Sequence, residues 1–137
     1  MNPITEVVDY LTRAKVFYFT SVDGDKPKAR PFGFAMEYEG KVYFTTNNTR
    51  PVVAELQRNP HFEATVMHPD KPYHWLRFSG EAVFDATLQV KEKAFELVPN
   101  MWDFYKTPAN PDFAMFSAKN GEALYYEGAE RRTVWLP

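Results

Sequence analysis

The sequence predicts a mainly β domain: a small antiparallel barrel with α-helices on its flanks. Three observations carry that expectation. Aromatic residues make up 17% of the 137-residue chain, and such side chains favour the pleated, half-buried surface of a sheet. Six or more short apolar or aromatic runs are separated by hairpin-length turn signals. Helical patterns stand only at the start and at two crossovers, whereas a parallel doubly wound sheet needs one between nearly every pair of strands.

The first element is a helix. Asn2 can cap it, Pro3 suits its first position, and Ile4, Val7, Val8 and Leu11 share one face. From Lys15 the period changes to a strand over Val16 to Val22, and Asp23-Gly24 is a hairpin turn. The return strand is expected from about Lys28 to Met36. Within it Pro31 cannot donate to a ladder, so Pro31 and Gly33 mark an irregular edge where something can approach the backbone. Glu39-Gly40 turns the chain into a strand from Lys41 to Thr46, and Arg50 to Leu56 reads as a short helix stopped by Asn59-Pro60. Strands follow at Phe62 to Met67 and His74 to Phe84, then a helix from Thr87 to Val98. Pro99, Pro108 and Pro111 break the next region, and three closing strands are expected: Phe113 to Ser117, Ala123 to Glu127 and Thr133 to Leu136.

Length and composition narrow the function classes. One domain spanning residues 1–137 is expected, without repeats or linkers. The chain has no cysteine, which excludes a disulfide framework, a cysteine-based metal site and a thiol nucleophile. A net charge of −2 argues against binding nucleic acid through its phosphates. No segment reaches the ~18–20 apolar residues that span a bilayer, and the N-terminus lacks a signal-peptide pattern, so a cytoplasmic address is expected. The 3 histidines, His61, His68 and His74, match no metal-ligand spacing, and no metal is expected. Ser21, Ser79 and Ser117 lie in no nucleophile-elbow context.

Two constellations are candidates for binding. In Thr45-Thr46-Asn47-Asn48-Thr49-Arg50, hydroxyls, amides, a guanidinium and the free N–H groups of a helix start fall together. That set suits an anion such as a phosphate; it equally suits a plain cap at Asn48 or Thr49 with Arg50 solvated. In Arg30-Pro31-Phe32-Gly33 a flat ligand could meet backbone freed by the proline, or the proline could simply block pairing at an edge. On the strand Trp75 to Gly80, Trp75, Arg77 and Ser79 share one face.

These stretches, in this order, resemble the pyridoxamine 5′-phosphate oxidase-like, FMN-binding split-barrel superfamily, nearest to its short flavin-binding and nitroimidazole-resistance branches. The resemblance rests on Val16 to Gly24, Ala29 to Phe34, Tyr43 to Arg50, Leu56 to Pro60 and Trp75 to Ala82. It implies a split β-barrel that forms a homodimer with FMN at the subunit interface. Arg30, Pro31 and Phe32 would lie along the flavin, and Thr45, Thr46, Asn47, Asn48, Thr49 and Arg50 would hold the ribityl chain and phosphate. Trp75 of the partner subunit would pack near the ring system. Phe34-Ala35-Met36 lacks the basic residue that follows the strand arginine in the oxidase itself, and the chain is much shorter than that enzyme. These departures point away from oxidation of pyridoxamine phosphate and leave FMN binding as the expectation.

The function so implied is a flavin-dependent oxidoreductase acting on a small molecule. Its alternatives are a non-catalytic FMN-binding or electron-transfer module and a barrel that binds a small molecule without flavin. No side chain announces itself as an acid or base, so no catalytic residue is assigned. The aromatic segment Met101 to Tyr105 is either the wall of a substrate pocket or subunit packing.

Overall fold

A computed structural model describes residues 1–137. Helix α1 (Pro3–Arg13) starts as its sequence predicts: Asn2 accepts a hydrogen bond from the Thr5 amide at 2.9 Å, and Pro3 stands in the first turn. Its apolar face puts Val7 and Leu11 fully inside the core. Strand β1 (Phe17–Asp23) turns at Gly24, whose φ of +64° favours glycine, into β2 (Lys26–Phe32). Phe17, Phe19 and Ser21 alternate inward along β1.

The expected single strand from Lys28 to Met36 is two strands. β2 ends at Phe32, and β3 (Ala35–Tyr38) begins after Gly33-Phe34. Pro31 has no N–H to offer a second neighbour, so β2 pairs with β1 alone and forms one edge of the sheet. β3 pairs with β4 (Lys41–Asn47) at the opposite edge.

The remaining elements are α2 (Pro51–Arg58), β5 (His61–Met67), β6 (His74–Val83), α3 (Leu88–Leu97), α4 (Met101–Tyr105), β7 (Phe113–Glu127) and β8 (Glu130–Leu136). The antiparallel order is β2-β1-β5-β6-β7-β4-β3, with β8 paired to β7. Because β2 and β3 follow one another in the chain yet occupy opposite edges, the sheet curls toward a barrel without closing. This is a split β-barrel.

The closing strands also differ from expectation. The predicted strands Phe113 to Ser117 and Ala123 to Glu127 are one 15-residue strand, β7, and the last strand begins earlier, at Glu130. Lys119-Asn120-Gly121 reads as a loop in sequence, but β6 holds the ladder through it by means of a bulge between Ser79 and Glu81. Gly121 packs closely there: a Cβ would sit 3.0 Å from the Phe78 ring and 3.2 Å from the Leu136 Cβ, tighter than ordinary contact. Helix α4, in the proline-broken region, was not expected from the sequence pattern.

Packing explains the aromatic content. Phe19 stacks on Phe32 and Phe62 at centroid distances of 4.6 and 4.9 Å and meets Phe44 and Phe116 edge-on, filling the barrel interior. A second apolar layer lies between α3 and the outer face of β4 and β7, built on Tyr43, Phe95, Phe113 and Met115. Coverage of both faces accounts for the unbroken buried run from Phe113 to Ala118, which shows no strand alternation. No helix is long and apolar enough to cross a membrane.

Candidate functional site

The opening between the two sheet edges is where the sequence candidates meet. β2 ends there with Pro31 and Phe32, β4 ends there with Thr45, Thr46 and Asn47, and α2 starts there after Arg50. Together with Gly33 they line a cleft of about 200 Å³, walled on its far side by Met101, Tyr105 and Phe113. Small-molecule sites usually measure ~300–1,000 Å³, so the cleft within one chain is smaller than that range.

The chemistry of the cleft is that of unmet hydrogen-bonding groups. Thr46 Oγ1 is buried, and no protein group pairs with it. Neither expected cap forms: Arg50 occupies the N-cap position of α2 without a side-chain hydrogen bond. Thr49 instead donates from both its amide and its hydroxyl to Asn47 Oδ1, at 2.9 and 2.6 Å. Asn48 donates from its side chain to the Pro111 carbonyl at 2.6 Å, while its amide donates to Asp112 at 2.8 Å. The turn is therefore pinned to the segment before β7. In the first turn of α2, Pro51 has no N–H and Val53 donates to the Arg50 carbonyl at 3.3 Å, so the Val52 amide is the one left without a backbone partner at the positive end of the helix dipole. The Arg50 side chain is exposed and makes no ion pair, leaving a free cation beside it. Asn47 Nδ2 reaches the Tyr105 hydroxyl at 3.4 Å, tying the turn to α4.

Four predicted residues, Arg30, Asn48, Thr49 and Trp75, do not line this cleft. The Arg30 guanidinium turns into the barrel, donating to Ser21 Oγ at 2.8 Å, Glu55 Oε1 at 2.8 Å and the Phe19 carbonyl at 3.3 Å. Ser21 donates to the same Glu55 oxygen at 2.6 Å. That hydrogen bond, aided by the Arg30 charge, holds the buried Glu55 carboxyl below its ordinary value against the opposing effect of burial. Trp75 lies on the outer face, its ring flat against Tyr126 with centroids 3.9 Å apart and planes 4° off parallel.

Of the further cleft residues, Gly33, Met101 and Tyr105 lie in stretches marked in the sequence, whereas Phe113 was missed as a site residue. Gly33 closes the irregular edge, and Phe113 reads in sequence only as a strand residue. Met101 and Tyr105 line the cleft, while Trp102 packs edge-on against Phe95 at 5.0 Å. A larger hollow of about 560 Å³ between α3 and the loop after α4 carries Glu92 and Glu96, whose charges oppose an anionic ligand.

The whole arrangement can be matched to known proteins. The sequence fits the pyridoxamine 5′-phosphate oxidase family over residues 4–126. The chain belongs to that family. The fold of a NimC/NimA family protein from Clostridium acetobutylicum matches with a TM-score of 0.90 and 32% identity, covering 99% of this chain and 95% of that one. A pyridoxamine 5′-phosphate oxidase-related, FMN-binding protein from Nostoc punctiforme shares the fold at a TM-score of 0.64 and 14% identity, covering 100% and 98%. An F420 reductase shares it at a TM-score of 0.58 and 23% identity, covering 81% and 90%. No curated protein sequence matches the chain. Within the family's split barrel, the cleft described above lies where the sheet fails to close.

Proposed function

We propose that this protein binds FMN in the cleft between β2 and β4 and acts as a flavin-dependent oxidoreductase on a small molecule. The observation that carries the reading is the buried, unpaired Thr46 hydroxyl beside an uncapped helix start and a free arginine. Arg50 and the unpaired Val52 amide at the start of α2 suit a phosphate. Thr45, Thr46 and Asn47 suit a polyhydroxyl chain, and Pro31 and Phe32 offer a flat apolar edge. Arg30, Asn48 and Thr49 would support the site indirectly, Arg30 by holding α2 through Glu55 and Asn48 and Thr49 by shaping the turn before Arg50. FMN, when bound, supplies hydride or electron transfer at its ring.

No carboxylate, imidazole or lysine lines the cleft, so the chain's own part is to bind, orient and shield. That same feature favours a second reading, a non-catalytic FMN-binding or electron-transfer module. The modest cleft volume supports a homodimer in which Trp75 of the partner subunit completes the site. A related occupant, a deazaflavin, is within the same chemistry, as the F420 reductase neighbour illustrates. A cytoplasmic address goes with this reading.

The test is an absorption spectrum of the purified protein before and after incubation with FMN. A flavin spectrum that survives gel filtration supports binding, and turnover of the reduced protein with an acceptor separates the enzyme from the module. A protein that stays colourless after incubation rules both out.

A further inference from the structure

On the far wall of the cleft Tyr105 is the one residue with a hydrogen-bonding side chain; its neighbours there, Met101 and Phe113, are apolar. It is half-buried rather than enclosed. In sequence it closes the aromatic run Met101 to Tyr105, and the flavin reading as it stands gives that run no task.

The fold holds Tyr105 firmly. Helix α4 ends on it, because Lys106 leaves the helix with a φ of +72°. The Asn110 side chain then donates to the Tyr105 carbonyl at 2.8 Å, and the ring packs on Phe113 with centroids 4.9 Å apart. Phe113 opposes Asn47 in the β4–β7 ladder, so the ring stands beside the end of β4. A side chain held in this way has little rotamer freedom left to lose when a ligand arrives.

The direction of one hydrogen bond decides what the hydroxyl can still do. Asn47 Oδ1 accepts from the Thr49 amide and hydroxyl, which fixes the side-chain amide with its NH₂ group turned away from them. That NH₂ group donates to the Tyr105 oxygen at 3.4 Å. The phenol is therefore the acceptor toward Asn47, and its own O–H is left to donate elsewhere.

We infer that Tyr105 is a specificity-determining residue of the flavin site, donating its O–H to a hydroxyl of the ribityl chain. This role rests on the FMN reading and adds to it a group that recognises the chain. A neutral donor next to the neutral Thr45 and Asn47 matches an uncharged polyol. The phosphate has the Arg50 cation instead, and the ring has the apolar edge at Pro31 and Phe32.

The experiment titrates wild type and Tyr105→Phe with FMN, riboflavin and lumiflavin, which has the ring but no ribityl chain, following flavin fluorescence. Tyr105→Phe keeps the ring and its packing, so the flavin-free variant should melt where the wild type does. Its affinities for FMN and riboflavin should fall by the same factor, about fivefold for one neutral hydrogen bond, with lumiflavin unmoved. Equal affinities of the two proteins for all three flavins overturn this role. So does a loss confined to FMN, which places the hydroxyl on the phosphate, or a loss shared by lumiflavin, which places it on the ring. A lower melting temperature in the flavin-free variant assigns the hydroxyl to the fold through Asn47 and overturns it as well. A wild type that binds no flavin is a separate failure, which removes the FMN reading, and this role with it, before any variant is made.

Discussion

The Arg30 guanidinium and the Glu55 carboxylate form an ion pair between strand β2 and helix α2, with Nη2 2.8 Å from Oε1 and the Glu55 side chain only 6% exposed. Ser21 donates to the same oxygen. This triad fastens α2 to the barrel wall directly behind the proposed phosphate-binding turn, so it fixes where the helix start and Arg50 point. An arginine that reads in sequence as a ligand group is committed by the fold to placing one.

Glu55→Gln should therefore destabilise the protein. Breaking a fully buried pair costs ~3–5 kcal/mol; with Arg30 22% exposed, about 2 kcal/mol is expected here. The carboxyl's value is lowered in the folded chain, so the pair's stabilisation is complete above the ordinary value of 4.5 and is lost as pH falls through the lowered one. Urea unfolding at neutral pH and at about pH 3 should show the gap between wild type and variant shrinking in acid. An equal gap at both would contradict the assignment.

Arg50→Ala should weaken FMN far more than riboflavin, because only FMN carries the phosphate. A charge-assisted hydrogen bond of ~1.5–3 kcal/mol corresponds to roughly 10–100-fold in affinity. Fluorescence titration with both flavins measures the difference, and equal losses would place the phosphate elsewhere.

Thr46→Val removes a buried hydroxyl that has no protein partner. The flavin-free protein should be as stable as wild type, or more stable by about 1 kcal/mol, while FMN affinity falls. Melting curves with and without FMN separate these effects. A variant that is destabilised without flavin would show that the hydroxyl serves the fold.

Trp75→Ala removes an outer-face stack on Tyr126 of the kind worth ~0.5–1.5 kcal/mol beyond buried area. If Trp75 completes the partner's site, the variant should change bound-flavin fluorescence or affinity. Sedimentation of wild type and variant should show a dimer, weakened by the substitution. A monomeric wild type, or flavin properties untouched in the variant, would remove Trp75 from the site.

Local sequence determined much of this protein. The Asn2 cap, the turn at Gly24, the alternation of β1 and the Thr87 start of α3 depend on neighbours a few residues apart, and the patterns that mark them are legible directly. The polar turn Thr45 to Arg50 was legible for the same reason, as a strand end running into a helix start. Tertiary structure decided what depends on distant partners. Pro31 and Gly33 signalled irregularity, but only the sheet order sends the chain from one edge to the other there and splits the barrel. Lys119 to Gly121 looks like a loop until β6 extends its ladder through it. Nothing near Arg30 in the sequence announces Glu55, and nothing near Asn47 announces Tyr105. Strand register and side-chain partnership are set by contacts between distant segments, which local periodicity does not encode.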